Sequence, residues 1–100
     1  MSWAHDACAA LERGERAKVR PHGGSMRGRI ESGQLVTLAP ATSADVSVGD
    51  VVFVRWRGGF LLHLVKQIVG DRLLIGNNVG KINGWVGAGA VLGRVVAVED

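Results

Sequence analysis

Residues 51–76 read VVFVRWRGGFLLHLVKQIVGDRLLIG. β-Branched and aromatic residues come here in strand-length runs, and the runs are separated by RGG and GD, both of turn chemistry. The reading is three antiparallel strands, 51–56, 60–69 and 72–76. Gly58-Gly59 and Gly70-Asp71 are expected at the turns of the resulting meander.

Working outward, AKVRPHG (17–23), QLVTLA (34–39) and VLGRVVAV (91–98) read as further strands, with Pro40 ending the second. ATSADVSVGD (41–50) is read as a loop and NNVGKINGWVGAGA (77–90) as an irregular, glycine-rich segment. Residues 3–13 read as a short helix, because Trp3, Ala7, Cys8 and Leu11 fall near one face and Gly14 is a stop signal. The expectation is one mainly β domain: a small, mostly antiparallel β-domain at 17–98 preceded by an N-terminal helical segment at 1–16.

Composition narrows the class. A content of 47% hydrophobic residues and a mean hydropathy of +0.19 exclude a disordered chain. No apolar run approaches the roughly 18 residues of a membrane helix, and the N-terminus, with Asp6, Glu12 and Glu15, lacks an apolar signal-peptide core. A soluble, cytoplasmic protein without a membrane anchor is expected. Cys8 is the single cysteine, so neither an internal disulfide nor a cysteine-type zinc site can form. Three histidines without ligand spacing make no metal site, and no cofactor is expected. The net charge of +3 is spread over Arg13, Arg16, Lys18, Arg20, Arg27, Arg29, Arg55, Arg57 and Lys66, among others. A basic soluble surface explains this better than a nucleic-acid interface.

The chemistry concentrates in PHGGSMRGRIESGQLV, 21–36. It is not a phosphate-binding Walker loop, since it lacks Gly-Lys-Ser/Thr and leads into a strand. Ser25 could be a turn serine or a nucleophile, and a nucleophilic serine needs a base. His63 is the unusual candidate. It lies inside the apolar run FLLHLV, where an imidazole must find a partner or a cavity. If Gly70 and Asp71 are the central turn residues, 69 pairs with 72, 67 with 74 and 63 with 78. His63 then faces Asn78, beside Asn77, while Lys66 faces Ile75 on the other side of the sheet. His63 is therefore preferred as the base, with Lys66 as the alternative. Trp56 and Trp85 are read either as core or as lining of a substrate groove.

Five blocks occur in unbroken order: GGSM (23–26), GQLV (33–36), VGDVVFVRW (48–56), LLHLV (61–65) and IGNN (75–78), followed by VLGRVVAV. In this order the chain resembles the signal peptidase I and SOS-repressor (LexA-like) clan of serine peptidases, over residues 18–98, as a minimal soluble member. The resemblance implies a small, partly open antiparallel β-barrel. It implies hydrolysis of a peptide bond through an acyl-enzyme on Ser25, with His63 or Lys66 as base. Asn77 or Asn78 would orient that base. Gly24 and the Ser25 N–H would serve the oxyanion, and Gly23 and Met26 are candidates for substrate binding. It also implies a protein or peptide substrate held as an extended strand. No Ala-Gly bond precedes Ser25 as a self-cleavage site, which favours maturation of a separate partner. The sequence sets neither the oligomeric state nor the substrate.

The departures from the clan's pattern are Gly28 for proline, Gln34 for aspartate, Leu64 for arginine and Asn77 for aspartate. The first two are expected to loosen the loop, and the last to weaken the base. A weak or inactive peptide-binding module on the same fold is therefore the first alternative, and a basic nucleic-acid-binding β-barrel the second.

Overall fold

A computed structural model describes residues 3–100. One helix, α1 (Trp3–Glu12), precedes seven strands: β1 (Ala17–Val19), β2 (Leu35–Pro40), β3 (Val51–Trp56), β4 (Gly59–Val69), β5 (Arg72–Gly76), β6 (Ile82–Val86) and β7 (Val91–Glu99). They form one sheet in the order β1-β2-β7-β3-β4-β5-β6, and every neighbouring pair is antiparallel. The sheet is open: no described pairing joins β1 to β6, so it does not close into a barrel. Met1 and Ser2, the start of the expected N-terminal segment, lie outside the described residues.

The unbroken apolar run at the start of β3 has a direct cause. β3 is central and buried on both faces, so alternation disappears. Val51 and Phe53 join one core cluster, together with Val36, Leu38, Leu62 and Leu64, and α1 covers that cluster with Ala7, Cys8 and Leu11. Val52 and Val54 join the other, with Val65, Leu73, Ile75 and Val91. Phe53 is fully buried and stacks on Phe60 at 5.2 Å, and the Trp3 ring lies 5.8 Å from it in a tilted arrangement. A buried side chain of this size contributes about 3 kcal/mol.

The meander β3-β4-β5 forms as expected, with one turn displaced. Trp56 pairs with Gly59, so the turn residues are Arg57 and Gly58, not Gly58 and Gly59. Both have positive φ, 45° and 79°, the type I′ requirement that matches the twist of the flanking strands. The Gly70-Asp71 turn is in place, and Val69 pairs with Arg72.

Three expectations are corrected. The first strand stops at Val19, two residues before Pro21, which has no N–H to give a ladder. Pro40 lies within β2, as its last residue. The segment 77–90, read as irregular, contains β6, whose Leu73–Val86 and Leu74–Trp85 pairings make it the last strand of the sheet. The loop 41–50 holds one turn of 3₁₀-helix at Ser43–Asp45.

Candidate active site

Ser25 sits at the top of a helical turn rather than on a slack loop. Arg27 N–H donates to the Gly24 carbonyl at 3.2 Å, and the Arg29 and Ile30 N–H groups donate to the Met26 carbonyl at 2.9 and 2.8 Å. Met26 and Ile30 point down into the core, 6% and 3% exposed, and so anchor the turn while leaving the Ser25 side chain at the surface. From the far side Asn78 clamps it. Its backbone N–H donates to the Ser25 carbonyl at 2.8 Å, and its side-chain amide to the Arg27 carbonyl at 2.7 Å.

Gly28 and Gln34, expected to loosen this loop, instead hold it. Gly28 has φ +93°, which proline cannot adopt, and its N–H donates to Glu31 Oε2 at 2.8 Å, which proline lacks. A Cβ at this position would stand 3.0 Å from the Asn78 amide nitrogen, so the glycine also makes room for the clamp. Gln34 Oε1 accepts from the Glu31 N–H at 2.7 Å, and its amide donates to Asp100 at 2.9 Å.

His63, half-buried on β4 opposite Val52, brings Nε2 to 3.3 Å from Ser25 Oγ. Its other nitrogen, Nδ1, is 2.8 Å from Asn83 Oδ1 on β6. An amide oxygen can only accept, so Nδ1 carries the proton and Nε2 offers its lone pair to the serine. Burial lowers the His63 pKa from its ordinary value. The Asn83 hydrogen bond works in the opposite direction, and the positive charge of Lys81 adds to the lowering. The ring is therefore neutral near pH 7, the state a general base requires.

The neighbours of His63 and Lys66 differ from those expected of strict pairing. A bulge on β4 at Lys66 shifts the register, so Leu64 pairs with Gly76 and Val65 with Ile75. His63 is thus not opposite Asn78, and Lys66 is not opposite Ile75. Buried Asn77 holds the tight turn after β5, its Oδ1 accepting from the Val79 and Lys81 N–H groups at 3.0 and 2.9 Å. Neither Asn77 nor Asn78 bonds the imidazole; Asn83 does. Asn83 is itself the extra residue of a bulge, since Ile75 pairs with Gly84 and Gly76 with Ile82. Gly84, φ +151°, lets the Trp56 ring pack directly on the β6 backbone, where a Cβ would meet the ring at 2.9 Å.

Beside the dyad opens a cleft of about 210 Å³. Met26, Ile30, Phe60 and Leu62 give it apolar walls, and Gly23, His22 and Glu31 stand at its rim. Gly23 and Met26, the sequence candidates for substrate binding, both line this cleft. Gly24 is not on the cleft wall and serves the turn through its carbonyl. His22 faces Ser32 Oγ at 3.5 Å and is remote from the role of base.

Among the described residues no group of three or more His, Cys, Asp or Glu side chains could hold a metal ion, and no helix is long and apolar enough to cross a membrane. Comparison with protein-family models, with curated proteins and with solved structures finds no match for the chain.

Proposed function

We propose that the chain is a serine endopeptidase, built as a minimal member of the signal peptidase I and SOS-repressor clan, that cleaves a protein or peptide through an acyl-enzyme. The observation that carries this reading is the relay Asn83 Oδ1, His63, Ser25 Oγ, with separations of 2.8 and 3.3 Å. In the acylation step His63 Nε2 takes the Ser25 proton as Oγ bonds to the substrate carbonyl carbon. The tetrahedral intermediate collapses as the imidazolium returns that proton to the departing amine. Water, deprotonated by the same nitrogen, then releases the acyl group. The Ser25 N–H has no acceptor among the described residues, which leaves it for the developing oxyanion. The gap between 3.3 Å and a tight O–H···N bond is the slack expected before substrate binds.

The edge geometry supports an extended substrate. Gly59–His63 of β4 pairs with β3 alone, because β5 joins only from Leu64 onward. Counting from the two-residue turn, the backbone groups of Phe60 and Leu62 point away from β3, toward the cleft. A substrate strand laid along this edge gains main-chain hydrogen bonds and passes Ser25. The modest cleft suits small side chains before the scissile bond.

The second reading, a peptide-binding module without turnover, draws on Asn83. A neutral amide orients the imidazole but gives the imidazolium no compensating charge. A serine-reactive fluorophosphonate followed by peptide mapping separates the two. Labelling on Ser25, lost in His63→Ala, supports the enzyme. Binding of peptides with no labelling and no hydrolysis supports the module.

A further inference from the structure

A second groove runs where the β3–β4 turn meets β6, on the far side of Asn83. Arg55, Arg57 and Arg72 line it together with Trp56, Trp85 and Asn83, and no carboxylate is among its lining residues. The Arg57 guanidinium lies 4.9 Å from the Trp56 ring, and that of Arg72 lies 5.6 Å from the ring of Trp85, which is 39% exposed. Arg55 is held by Glu12 at 2.9 Å, so of the three arginines lining this groove Arg57 and Arg72 have no carboxylate partner among the described residues. A guanidinium stacked on an indole keeps its edge N–H groups free for a carboxylate fork. Arg57 is also the one non-glycine residue with positive φ among those described, in a turn position that asparagine or glycine fills without strain. Arg57 lines the groove with its guanidinium over the Trp56 ring. β6 is the last strand of the sheet, so its outer backbone is open to an added strand.

We infer that this groove is an exosite for an acidic, extended segment of the polypeptide substrate, placed beyond the cleft on the same chain that Ser25 cuts. The inference rests on the peptidase reading for the second half of that statement only. Charge complementarity selects the occupant, and continuity through Asn83, which lines the groove and bonds His63, ties it to the site.

The test is direct binding, with Ser25→Ala protein and three labelled probes: a short glutamate-rich peptide, a glycine-serine peptide of equal length and an oligothymidylate. The glutamate-rich peptide is expected to bind, to weaken with added salt, and to lose about tenfold or more in affinity in the Arg57→Gln, Arg72→Gln double variant. Arg57→Gly removes the guanidinium while relieving the turn, so it should keep the fold and still weaken binding. Equal binding of the acidic and neutral peptides, or indifference to both variants, overturns the exosite. So does tighter binding of oligothymidylate with the same dependence on Arg57 and Arg72, which would make the groove a nucleic-acid site. In wild-type protein, hydrolysis of neutral peptides with no preference for acidic ones sinks the exosite alone. Selective acidic-peptide binding without any hydrolysis keeps the exosite and sinks the peptidase.

Discussion

Asn83 Oδ1 takes the Nδ1–H of His63 at 2.8 Å, and by doing so decides which imidazole nitrogen faces Ser25. The two residues lie on strands β6 and β4, with β5 between them. The contact passes the end of β5, which joins β4 only from Leu64 onward, and Asn83 makes it from the bulge of β6 beside that end. On the proposed peptidase reading Asn83 is a positioning residue, since it touches His63 and not Ser25.

Asn83→Ala should therefore lower kcat with little change in KM. The loss of one net hydrogen bond and of the fixed tautomer predicts a fall of about tenfold. Asn83→Asp should retain or raise kcat, and its pH–rate profile should move up in pH, because a carboxylate beside the ring favours the imidazolium. A merely structural role for Asn83 would shift neither the profile nor kcat selectively. Asn77→Asp gives the contrast. Its carboxylate would still accept from Val79 and Lys81, so the profile should stay in place.

The depressed His63 pKa makes stability depend on pH. Burial disfavours the charged ring in the fold, so the unfolded chain binds the extra proton more readily. Stability should then be full above the ordinary histidine pKa of about 6.5 and fall as pH drops through it toward the lower folded value. Thermal melts of wild type and His63→Gln across pH 7.5 to 5, estimated as the relevant range from that pKa at roughly 6.5, measure this. The wild-type Tm should fall more steeply than that of the variant. Parallel curves would assign the acid limb to other groups.

Gly28→Pro, which installs the residue that the resembled clan carries there, should harm this chain. It removes the N–H that reaches Glu31 and demands a negative φ where the backbone stands at +93°. A loss of roughly 3 kcal/mol or more is expected, with the Ser25 turn disordered even if the sheet survives. Denaturant melts together with amide exchange at residues 24–30 give the result. Gly28→Ala should be milder. Its Cβ meets only the Asn78 amide at 3.0 Å, but the positive φ still carries strain.

The meander and the dyad were legible because both rest on local signals. Glycine turns bracket β3, β4 and β5, and a histidine within FLLHLV has no apolar reason to be there. Asn83 was hidden. Its strand, INGWV, carries glycine in the middle, which reads as a loop, and the reason for Gly84 is Trp56 packing from another hairpin. Strict pairing counted back from Gly70-Asp71 sets His63 opposite Asn78, and the bulge at Lys66 breaks that count. A bulge adds one residue without any composition signal here, and it moves every later cross-strand neighbour. The expected weakness of Gly28 and Gln34 failed for a similar reason. The clan's pattern compares residues position by position, whereas Glu31, Asn78 and Asp100 supply hydrogen bonds or space to these two positions from elsewhere in the chain.

The choice between His63 and Lys66 yields the sharpest kinetic contrast. His63 Nε2 has the only hydrogen bond to Ser25 Oγ among the described residues, whereas the Lys66 side chain lies along Gly76, with Cε 3.0 Å from where a Cβ would stand. Ser25→Ala should abolish turnover and leave the fold intact, since the side chain is exposed and packs against little. His63→Ala should cost roughly a hundred- to ten-thousandfold in kcat, and adding it to Ser25→Ala should cost nothing further, because nucleophile and base work as one unit. Lys66→Met keeps the aliphatic stem against Gly76 and removes the amine, so kcat should remain within about threefold of wild type. Peptide hydrolysis by wild type and the four variants, with circular dichroism to verify folding, measures each step. Loss of activity in folded Lys66→Met with activity kept in His63→Ala would transfer the role of base to the lysine and end the assignment of His63.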